Sequence, residues 1–226
     1  MLSPPTQIAP VRCAPKVRAL FDKLTWMGVG LEQDPFDAFA LQQLVVRLKP
    51  DLIIETGTFN GGGSLFLASI LHLVHPTGRI HTIDPWRRRV HRQIAAFDAP
   101  ARRVFDEHVT YHPNSSVDAP VVELMRAAAR DAKTVLIILD SNHAASYVAK
   151  ELEAYAPLVT VGSYIVVEDT KLDRMLAGSI GNSAPWEGPT PAVQDFLRAN
   201  RHFRADRGVE RLWYSQHPRG FLKRTK

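Results

Sequence analysis

The sequence has a single cysteine and no long apolar run. Cys13 lies in a proline-rich N-terminal arm, so no disulfide bond can form within the chain, as is typical of a reducing compartment. The apolar runs are well short of the roughly 20 residues that cross a bilayer, and prolines interrupt the region where a signal peptide would be apolar. We therefore expect a cytoplasmic protein that does not associate with membranes.

Internal repeats and low-complexity blocks are also absent. With 45% hydrophobic residues among 226, the chain can bury one core, and we predict a flexible arm over residues 1–15 and a single domain over 16–226. The net charge of +5 is moderate. Arginines concentrate between residues 87 and 103, where either a lid over an anionic substrate or a solvated surface is expected. They lack interleaved aromatic residues, which disfavours nucleic-acid binding.

The hydrophobic pattern predicts alternating strands and helices. Strands are predicted over residues 52–54, 79–83, 109–112, 134–139 and 163–167. Helices are predicted over 17–26, from Asp34-Pro35 to a stop before Pro50, and over 117–131, 144–155 and 192–200. Residues 203–204 and 211–215 are predicted to form a closing hairpin. This order indicates an α/β fold with a doubly wound, mostly parallel seven-stranded sheet and an antiparallel C-terminal edge hairpin.

The chain is organised around residues 51–71, which combine a buried strand, a glycine-rich turn from Gly57 to Gly63 and a helix. A strand, a turn that lets backbone approach a ligand and a helix N-terminus form half of a nucleotide-binding unit. Glu55 follows the strand directly, and its charge would repel a pyrophosphate but suit a cofactor with an amino group and a sulfonium. The pattern therefore favours S-adenosylmethionine over NAD.

Asp84 ends the second strand, about twenty residues beyond the glycine turn, where an acid can accept hydrogen bonds from both ribose hydroxyls. A turn or helix-cap aspartate is the alternative interpretation. The predicted cofactor set comprises nine residues. They are Glu55, Thr56, Gly57, Gly61, Gly63, Ser64, Asp84, Ser115 and Asp140.

Acidic residues also end the predicted strands over 134–139 and 163–167. If these strands are neighbours, Asp140, Glu168 and Asp169 converge on one crevice, where their like charges call for a cation. An all-oxygen ligand set favours Mg²⁺, with Mn²⁺ or Ca²⁺ as alternatives, over zinc. The competing interpretation is that Asp140 caps a helix and the other two acids face water.

His143 lies three residues beyond Asp140 on the same rim, and a neutral imidazole there is a candidate general base. A surface or structural role is the alternative, as we expect for His72, His75 and His81, which flank core elements. Methyl transfer to a hydroxyl needs a sulfonium donor, an aligned acceptor oxygen and loss of the acceptor proton. The acids at the strand ends divide naturally into a cofactor set and a metal set.

Taken together, these motifs resemble the cephalosporin hydroxylase/rhamnosyl O-methyltransferase family over roughly residues 26–224. The residues that carry the resemblance are Glu55-Thr56-Gly57-Thr58, Gly61-Gly62-Gly63-Ser64, Leu139-Asp140-Ser141-Asn142-His143, Ser163-Tyr164-Ile165-Val166-Val167-Glu168-Asp169-Thr170 and Pro218-Arg219-Gly220-Phe221-Leu222.

The resemblance implies a class I methyltransferase fold that binds S-adenosylmethionine, Mg²⁺ on Asp140, Glu168 and Asp169, and a natural-product acceptor such as a deoxysugar. Related metal-dependent sugar methyltransferases have a second acid two residues beyond the first metal aspartate. Here that position is Asn142, so the role of base passes to His143. Trp186 is expected either to wall the acceptor site or to pack on the core.

The function expected from the sequence is Mg²⁺-dependent O-methylation of a sugar or vicinal-diol hydroxyl on a secondary metabolite, as in antibiotic biosynthesis. A homo-oligomer acting on a small-molecule acceptor is expected. The alternatives are a cofactor-binding subunit of a natural-product hydroxylation system and a non-catalytic binding protein. An NAD oxidoreductase is disfavoured by the charge of Glu55.

Overall fold

The computed structural model describes residues 24–173, 187–211 and 214–226. The predicted arm over 1–15, most of the helix predicted over 17–26, and Trp186 lie outside these residues. Of the helix predicted over 17–26, the described end is extended instead, since Thr25–Trp26 form a short strand with Val29–Gly30.

The described elements alternate between strands and helices along the chain. The strands are β1 Thr25–Trp26, β2 Val29–Gly30, β3 Leu52–Thr56, β4 Arg79–Ile83, β5 Val109–His112, β6 Val135–Leu139, β7 Tyr164–Val167, β8 Phe203–Ala205 and β9 Phe221–Arg224. The helices are α1 Pro35–Leu48, α2 Gly62–Val74, α3 Arg87–Ala95, α4 Ala99–His108, α5 Ala119–Ala129, α6 Ala145–Tyr155 and α7 Pro189–Ala199. Short 3₁₀ turns cover Ala156–Leu158 and Val209–Arg211.

Seven strands form one sheet in the order β5-β4-β3-β6-β7-β9-β8. The five strands from β5 to β7 are parallel, and β9 is antiparallel to both of its neighbours. The predicted doubly wound sheet with antiparallel C-terminal strands is confirmed. Strand order reverses between β3 and β6, so the crevice beyond their carboxyl ends is the expected place for a ligand.

Apolar side chains alternate between the two faces of the sheet, which explains why the central strands are apolar throughout. In β6, Leu136 and Ile138 pack against α1 to α4, whereas Val135, Ile137 and Leu139 pack against α5 to α7. Helices therefore cover both faces, and the carboxyl edge of the sheet is left for chemistry.

Local signals explain how α1 is delimited. The side chain of Asp34 accepts a hydrogen bond from the Phe36 amide at 2.8 Å, and Pro35 occupies the first turn, where it needs no donor. Lys49 closes the helix in the left-handed conformation just before Pro50. The predicted start and stop of this helix are both confirmed.

The predicted closing hairpin has the wrong partner. Residues 209–211 form a 3₁₀ turn, and the strand that pairs with β8 is β9. Strand β9 begins at Phe221, whereas the predicted partner strand begins at Arg211. Strand β9 also inserts between β7 and β8, so the edge strand is β8. This pairing brings the loop before β9, which includes His217, next to Asp169 at the end of β7.

Strand β3 is longer than predicted and includes Glu55 and Thr56, while α2 already begins at Gly62. Within the described ranges, no helix combines the length and the apolar character needed to span a membrane.

Candidate active site

A narrow cavity lies at the carboxyl edge of the sheet, where the strand order reverses. Its floor is formed by the ends of β3, β6 and β7 and the start of α2, and the loop before α1 covers it through Leu31, Glu32 and Gln33. Four of the nine predicted cofactor residues line this cavity. They are Glu55, Gly57, Gly63 and Asp140.

Glu55 is buried at the end of β3, with 5% of its surface exposed. Its Oε2 accepts hydrogen bonds from the hydroxyls of Ser64 on α2 and Thr82 on β4, the latter at 2.5 Å. Burial raises the pKa of this carboxyl, and the two hydroxyl donors oppose the shift. The side chain is thus held in one orientation at the cavity wall.

Asp84 bridges the second strand and the glycine-rich turn. One carboxylate oxygen accepts the Phe59 amide at 2.9 Å, and the other accepts the Trp86 amide at 2.8 Å. Each oxygen keeps a further lone pair, so these bonds do not exclude a ribose hydroxyl as donor. The hydrogen bonds to Phe59 and Trp86 show the alternative turn role, whereas the ribose role remains a prediction.

The glycine turn and the end of β6 approach each other very closely. Gly57 has a φ of +93°, and a Cβ there would lie 2.0 Å from the carbonyl oxygen of Asp140. Only glycine fits this backbone and this spacing. The contact fixes the position of the glycine turn relative to the Asp140 backbone.

Asp140, His143 and Asp169 form a cluster whose ligand atoms all lie within 4.8 Å of one another. The Nε2 atom of His143 lies 3.8 Å from Oδ1 of Asp140 and 3.6 Å from Oδ2 of Asp169. Between 28% and 38% of each of the three side chains is exposed, so solvent or a ligand can enter. The structure therefore brings together two of the three predicted metal ligands and the predicted base.

Glu168, the third predicted ligand, points elsewhere. Both of its carboxylate oxygens accept hydrogen bonds from Nε2 of Gln33, at 3.0 and 2.9 Å, and its side chain is only 6% exposed. It still lines the same cavity as Asp140. Glu168 is not part of the cluster of Asp140, His143 and Asp169, so its metal-ligand role remains a prediction.

Electrostatic coupling joins these acids. Desolvation within the cleft, followed by the charges of Glu168 and Asp169, raises the pKa of Asp140 well above its usual value. Burial also raises the pKa of Glu168, which the Gln33 hydrogen bonds oppose. The edge of the sheet is a region of concentrated negative charge, as a cation site requires.

His217 lies behind the cluster and is fully buried. Its Nδ1 accepts the backbone N–H of Asp169 at 2.7 Å, while Nε2 lies 3.6 Å from Glu168 and 3.7 Å from Asp37. Burial lowers the pKa of His217 to about 4, so the ring is neutral at pH 7. Since Nδ1 is an acceptor, the proton of the neutral ring is on Nε2 and faces the two acids.

A second buried network supports the Asp140 loop. Glu151 of α6 accepts hydrogen bonds from the hydroxyls of Ser116 at 2.6 Å and Ser141 at 2.7 Å, and so links the loops after β5 and β6. The predicted cofactor residue Ser115 lies beside this network and pairs with the hydroxyl of Tyr147 at 2.8 Å. Its cofactor role is untested.

The sequence interpretation missed Gln33, His217 and Glu151. Gln33 lies in a loop without periodicity, and Glu151 reads as an ordinary helix glutamate. His217 directly precedes the Pro218-Arg219-Gly220 motif, which was the one available signal. Each of these side chains becomes informative only once its distant partner is known.

Comparison with known proteins decides the family. Residues 18–225 match the model of the family described as rhamnosyl O-methyltransferase/CmcI. The chain belongs to this family. The predicted family and its S-adenosylmethionine-dependent O-methyltransferase class are thereby confirmed.

Curated relatives and solved structures agree with this membership. The rhamnosyl O-methyltransferase of Mycobacterium tuberculosis (strain ATCC 25618 / H37Rv) is 29% identical over 207 residues, covering 91% of this chain and 80% of the relative. A CmcI structure with Mg and SAM superposes with a TM-score of 0.67 at 19% identity, over 91% of this chain and 78% of that one. The O-methyltransferase TomG from Streptomyces achromogenes, in complex with SAM, has a TM-score of 0.54 at 19% identity, over 77% and 73%. The structural matches show the shared fold.

Proposed function

We propose that this protein transfers a methyl group from S-adenosylmethionine to a hydroxyl of a sugar or vicinal diol on a small secondary metabolite, and that it does so with Mg²⁺. The observation that carries the proposal is the cluster of Asp140, His143 and Asp169, which opens beside the cavity bounded by Glu55 and Gly57. A donor site and a cation site thus adjoin at one edge of the sheet.

The residues around the cavity fit the cofactor. Glu55 offers a carboxylate fixed by two hydroxyls, which suits the amino group and sulfonium of S-adenosylmethionine, the source of the methyl group. Asp84, at the end of β4, retains lone pairs for the ribose. Thr56, Gly57, Gly61, Gly63, Ser64, Ser115 and Asp140 complete the proposed cofactor set.

The acids fit a hard divalent cation. Asp140 and Asp169 contribute oxygen donors within 4.8 Å of each other, and Glu168 lies next along the chain, adjoining the same cavity. Carboxylate oxygens are the ligands that Mg²⁺ prefers, while Mn²⁺ accepts the same set. A cation held by these residues would orient the acceptor hydroxyl and lower its pKa.

We assign His143 as the general base. Its Nε2 lies within 4 Å of both aspartates, beside the proposed cation site, where a ring nitrogen can take the hydroxyl proton as the oxygen attacks the methyl carbon. Asn142 has no basic group, and its side chain accepts the Ala144 amide in the turn before α6. The proton therefore goes to His143.

The family supports the proposed acceptor class. The Mycobacterium relatives are rhamnosyl O-methyltransferases, and TomG is involved in tomaymycin synthesis. Vicinal hydroxyls suit the site because two adjacent oxygens can both approach one cation held by Asp140 and Asp169. We therefore expect a glycosylated or polyhydroxylated metabolite.

The test is a methyl-transfer assay with labelled S-adenosylmethionine against a panel of deoxysugar glycosides and catechols. We expect a gain of one methyl group on a vicinal diol, abolished by EDTA and restored by Mg²⁺. Transfer that is indifferent to EDTA would refute the metal dependence. Cofactor binding without transfer to any acceptor would favour a subunit of a hydroxylation system or a binding protein.

A further inference from the structure

We propose a second metal site, specific for zinc-like transition-metal ions and formed by His72, Glu107 and His108 at the opposite edge of the sheet. His72 lies in the last turn of α2, and Glu107 and His108 end α4, directly before β5 begins. The proposed active site lies beyond the carboxyl ends of the strands, whereas this cluster lies beside their amino ends. It is therefore separate from the site described above.

The side chain of His108 is oriented as a metal ligand. It is buried, and its Nδ1 lies 3.0 Å from the carbonyl oxygen of Gly78. A carbonyl can only accept, so Nδ1 carries the proton and the lone pair of Nε2 points away from it. Ligating histidines usually donate their second ring N–H to a carbonyl or carboxylate in this way, which fixes both the tautomer and the ring orientation.

The lone pair of His108 points towards two further donors. Nε2 of His108 lies 3.2 Å from Nδ1 of His72, and that Nδ1 lies 3.4 Å from Oε2 of Glu107. Oε1 of Glu107 lies 3.8 Å from Nε2 of His108. The two imidazole rings are nearly perpendicular, at 85°, with the edge of one ring facing the other.

The two separations from Nδ1 of His72 match edges of a zinc tetrahedron. Bonds of about 2.0–2.2 Å at tetrahedral angles separate neighbouring ligand atoms by about 3.3–3.6 Å. Both distances from Nδ1 of His72, 3.2 Å to Nε2 of His108 and 3.4 Å to Oε2 of Glu107, fall within about 0.1 Å of that range. Mg²⁺ prefers oxygen ligands, so a set of two imidazoles and one carboxylate selects zinc or a similar ion.

The surroundings allow entry and binding. The side chains of His72 and Glu107 are 44% and 43% exposed, which leaves the fourth position open to water. In the metal-free cluster His72 donates its Nδ1 proton to His108, because Nε2 of His108 is an acceptor. Binding requires that the proton of His72 shift from Nδ1 to Nε2, which frees the Nδ1 lone pair for the ion.

The consequence is structural rather than catalytic. An ion at this position would tie the end of α2 to the end of α4, and through Gly78 it would also tie the loop before β4. Helix α2 begins at the glycine turn of the cofactor cavity, so such a clamp would stabilise the element that supports that turn. We expect higher thermal stability and unchanged methyl transfer.

The experiment is calorimetric titration with Zn²⁺ alone, together with thermal unfolding with and without the ion. We expect one tight site that is weakened at least about a hundred-fold in His72→Ala and about tenfold or more in Glu107→Gln. His75→Ala, which alters the neighbouring histidine and its partner Asp51 at 3.0 Å, is the matched control and should retain the tight site. Zn²⁺ should raise the melting temperature of the wild type but not of His72→Ala.

Zinc binding at the cluster of Asp140, His143 and Asp169 is tested separately with His143→Ala, which must keep the tight site. Co²⁺ provides a second readout, since a tetrahedral site with two imidazoles gives the strong visible absorption that an octahedral oxygen site lacks. Equal Zn²⁺ affinity in the wild type and His72→Ala, or loss of the tight site in His143→Ala, would overturn the proposal. Neither outcome depends on the methyltransferase assay.

Discussion

The backbone N–H of Asp169 donates a hydrogen bond of 2.7 Å to Nδ1 of His217. Asp169 has a φ of +56°, a backbone conformation that residues other than glycine rarely adopt. The buried imidazole therefore stabilises a strained residue, and strain of this kind is concentrated at functional sites. His217 is a positioning residue, because it acts on the Asp169 carboxylate through the backbone.

This relationship predicts a difference between two substitutions of His217. The amide oxygen of asparagine can take the place of Nδ1 and accept the Asp169 N–H, whereas that of glutamine reaches towards Nε2. We expect His217→Gln to weaken Mn²⁺ binding about 10- to 100-fold, and to destabilise the fold by about 1–3 kcal/mol because an amide is left unpaired. His217→Asn should retain most of both, as measured by metal titration and urea unfolding. Equal effects of the two variants would refute the positioning role.

Replacement of His143 by alanine should slow turnover rather than weaken cofactor binding. Loss of a general base lowers the rate by about 10²- to 10⁴-fold, and His143 does not line the cofactor cavity. Stopped assays give the rate, and calorimetry gives the affinity for S-adenosylmethionine. Because the ring lies within 4 Å of both aspartates, it could also serve as a metal ligand. Unchanged Mn²⁺ affinity in the variant would show that His143 acts as a base and not as a metal ligand. His202→Ala, which changes an exposed histidine beside β8, should leave every value unchanged.

Glu55→Gln should weaken binding of S-adenosylmethionine about 10- to 100-fold, the value of one hydrogen bond to a charged group. The amide keeps the size of the side chain but removes the charge that the sulfonium and amino group require. Glu151→Gln is the matched control, since it changes a buried glutamate that does not line the cavity. The electrostatic argument at Glu55 fails if both variants bind the cofactor as tightly as the wild type.

Acid should destabilise the protein through His81. Burial, followed by the charge of His112 beside it, lowers the pKa of His81 from 6.5 to about 4. The unfolded chain therefore binds more protons between pH 6.5 and pH 4, and stability falls as the pH is lowered through this window. His81→Thr, which suits a strand, should reduce the loss by about 1–2 kcal/mol, after discounting for partial exposure. Urea unfolding at pH 7.5 and pH 4.5 measures it, and an identical pH dependence in the variant would contradict the assignment.

How much the sequence could predict depended on the range of the contacts. The apolar strands, the acids at their ends and the start of α1 follow from neighbouring residues, so these predictions agree with the structure. The convergence of Asp140 and Asp169 also follows, since β6 and β7 pair in parallel register. Periodicity and motif spacing were sufficient for this part of the site.

The remainder of the site depends on contacts between residues far apart in the chain. His217 lies 48 positions from Asp169, and Gln33 lies 135 positions from Glu168. The first contact requires that β9 insert between β7 and β8, and the second requires that the loop before α1 cover the cavity. Such choices are made by tertiary packing, which no local pattern encodes. The incorrect hairpin partner has the same cause.

The most direct test of the account is binding of Mn²⁺, followed by the electron paramagnetic resonance signal of the free ion, to the wild type and to Asp140→Asn. We predict that the wild type removes the free-ion signal, that Mg²⁺ restores it by competition, and that Asp140→Asn leaves the signal unchanged. Equal Mn²⁺ binding by both proteins, or displacement by Zn²⁺ but not by Mg²⁺, would contradict a divalent-cation site at the carboxyl edge of the sheet.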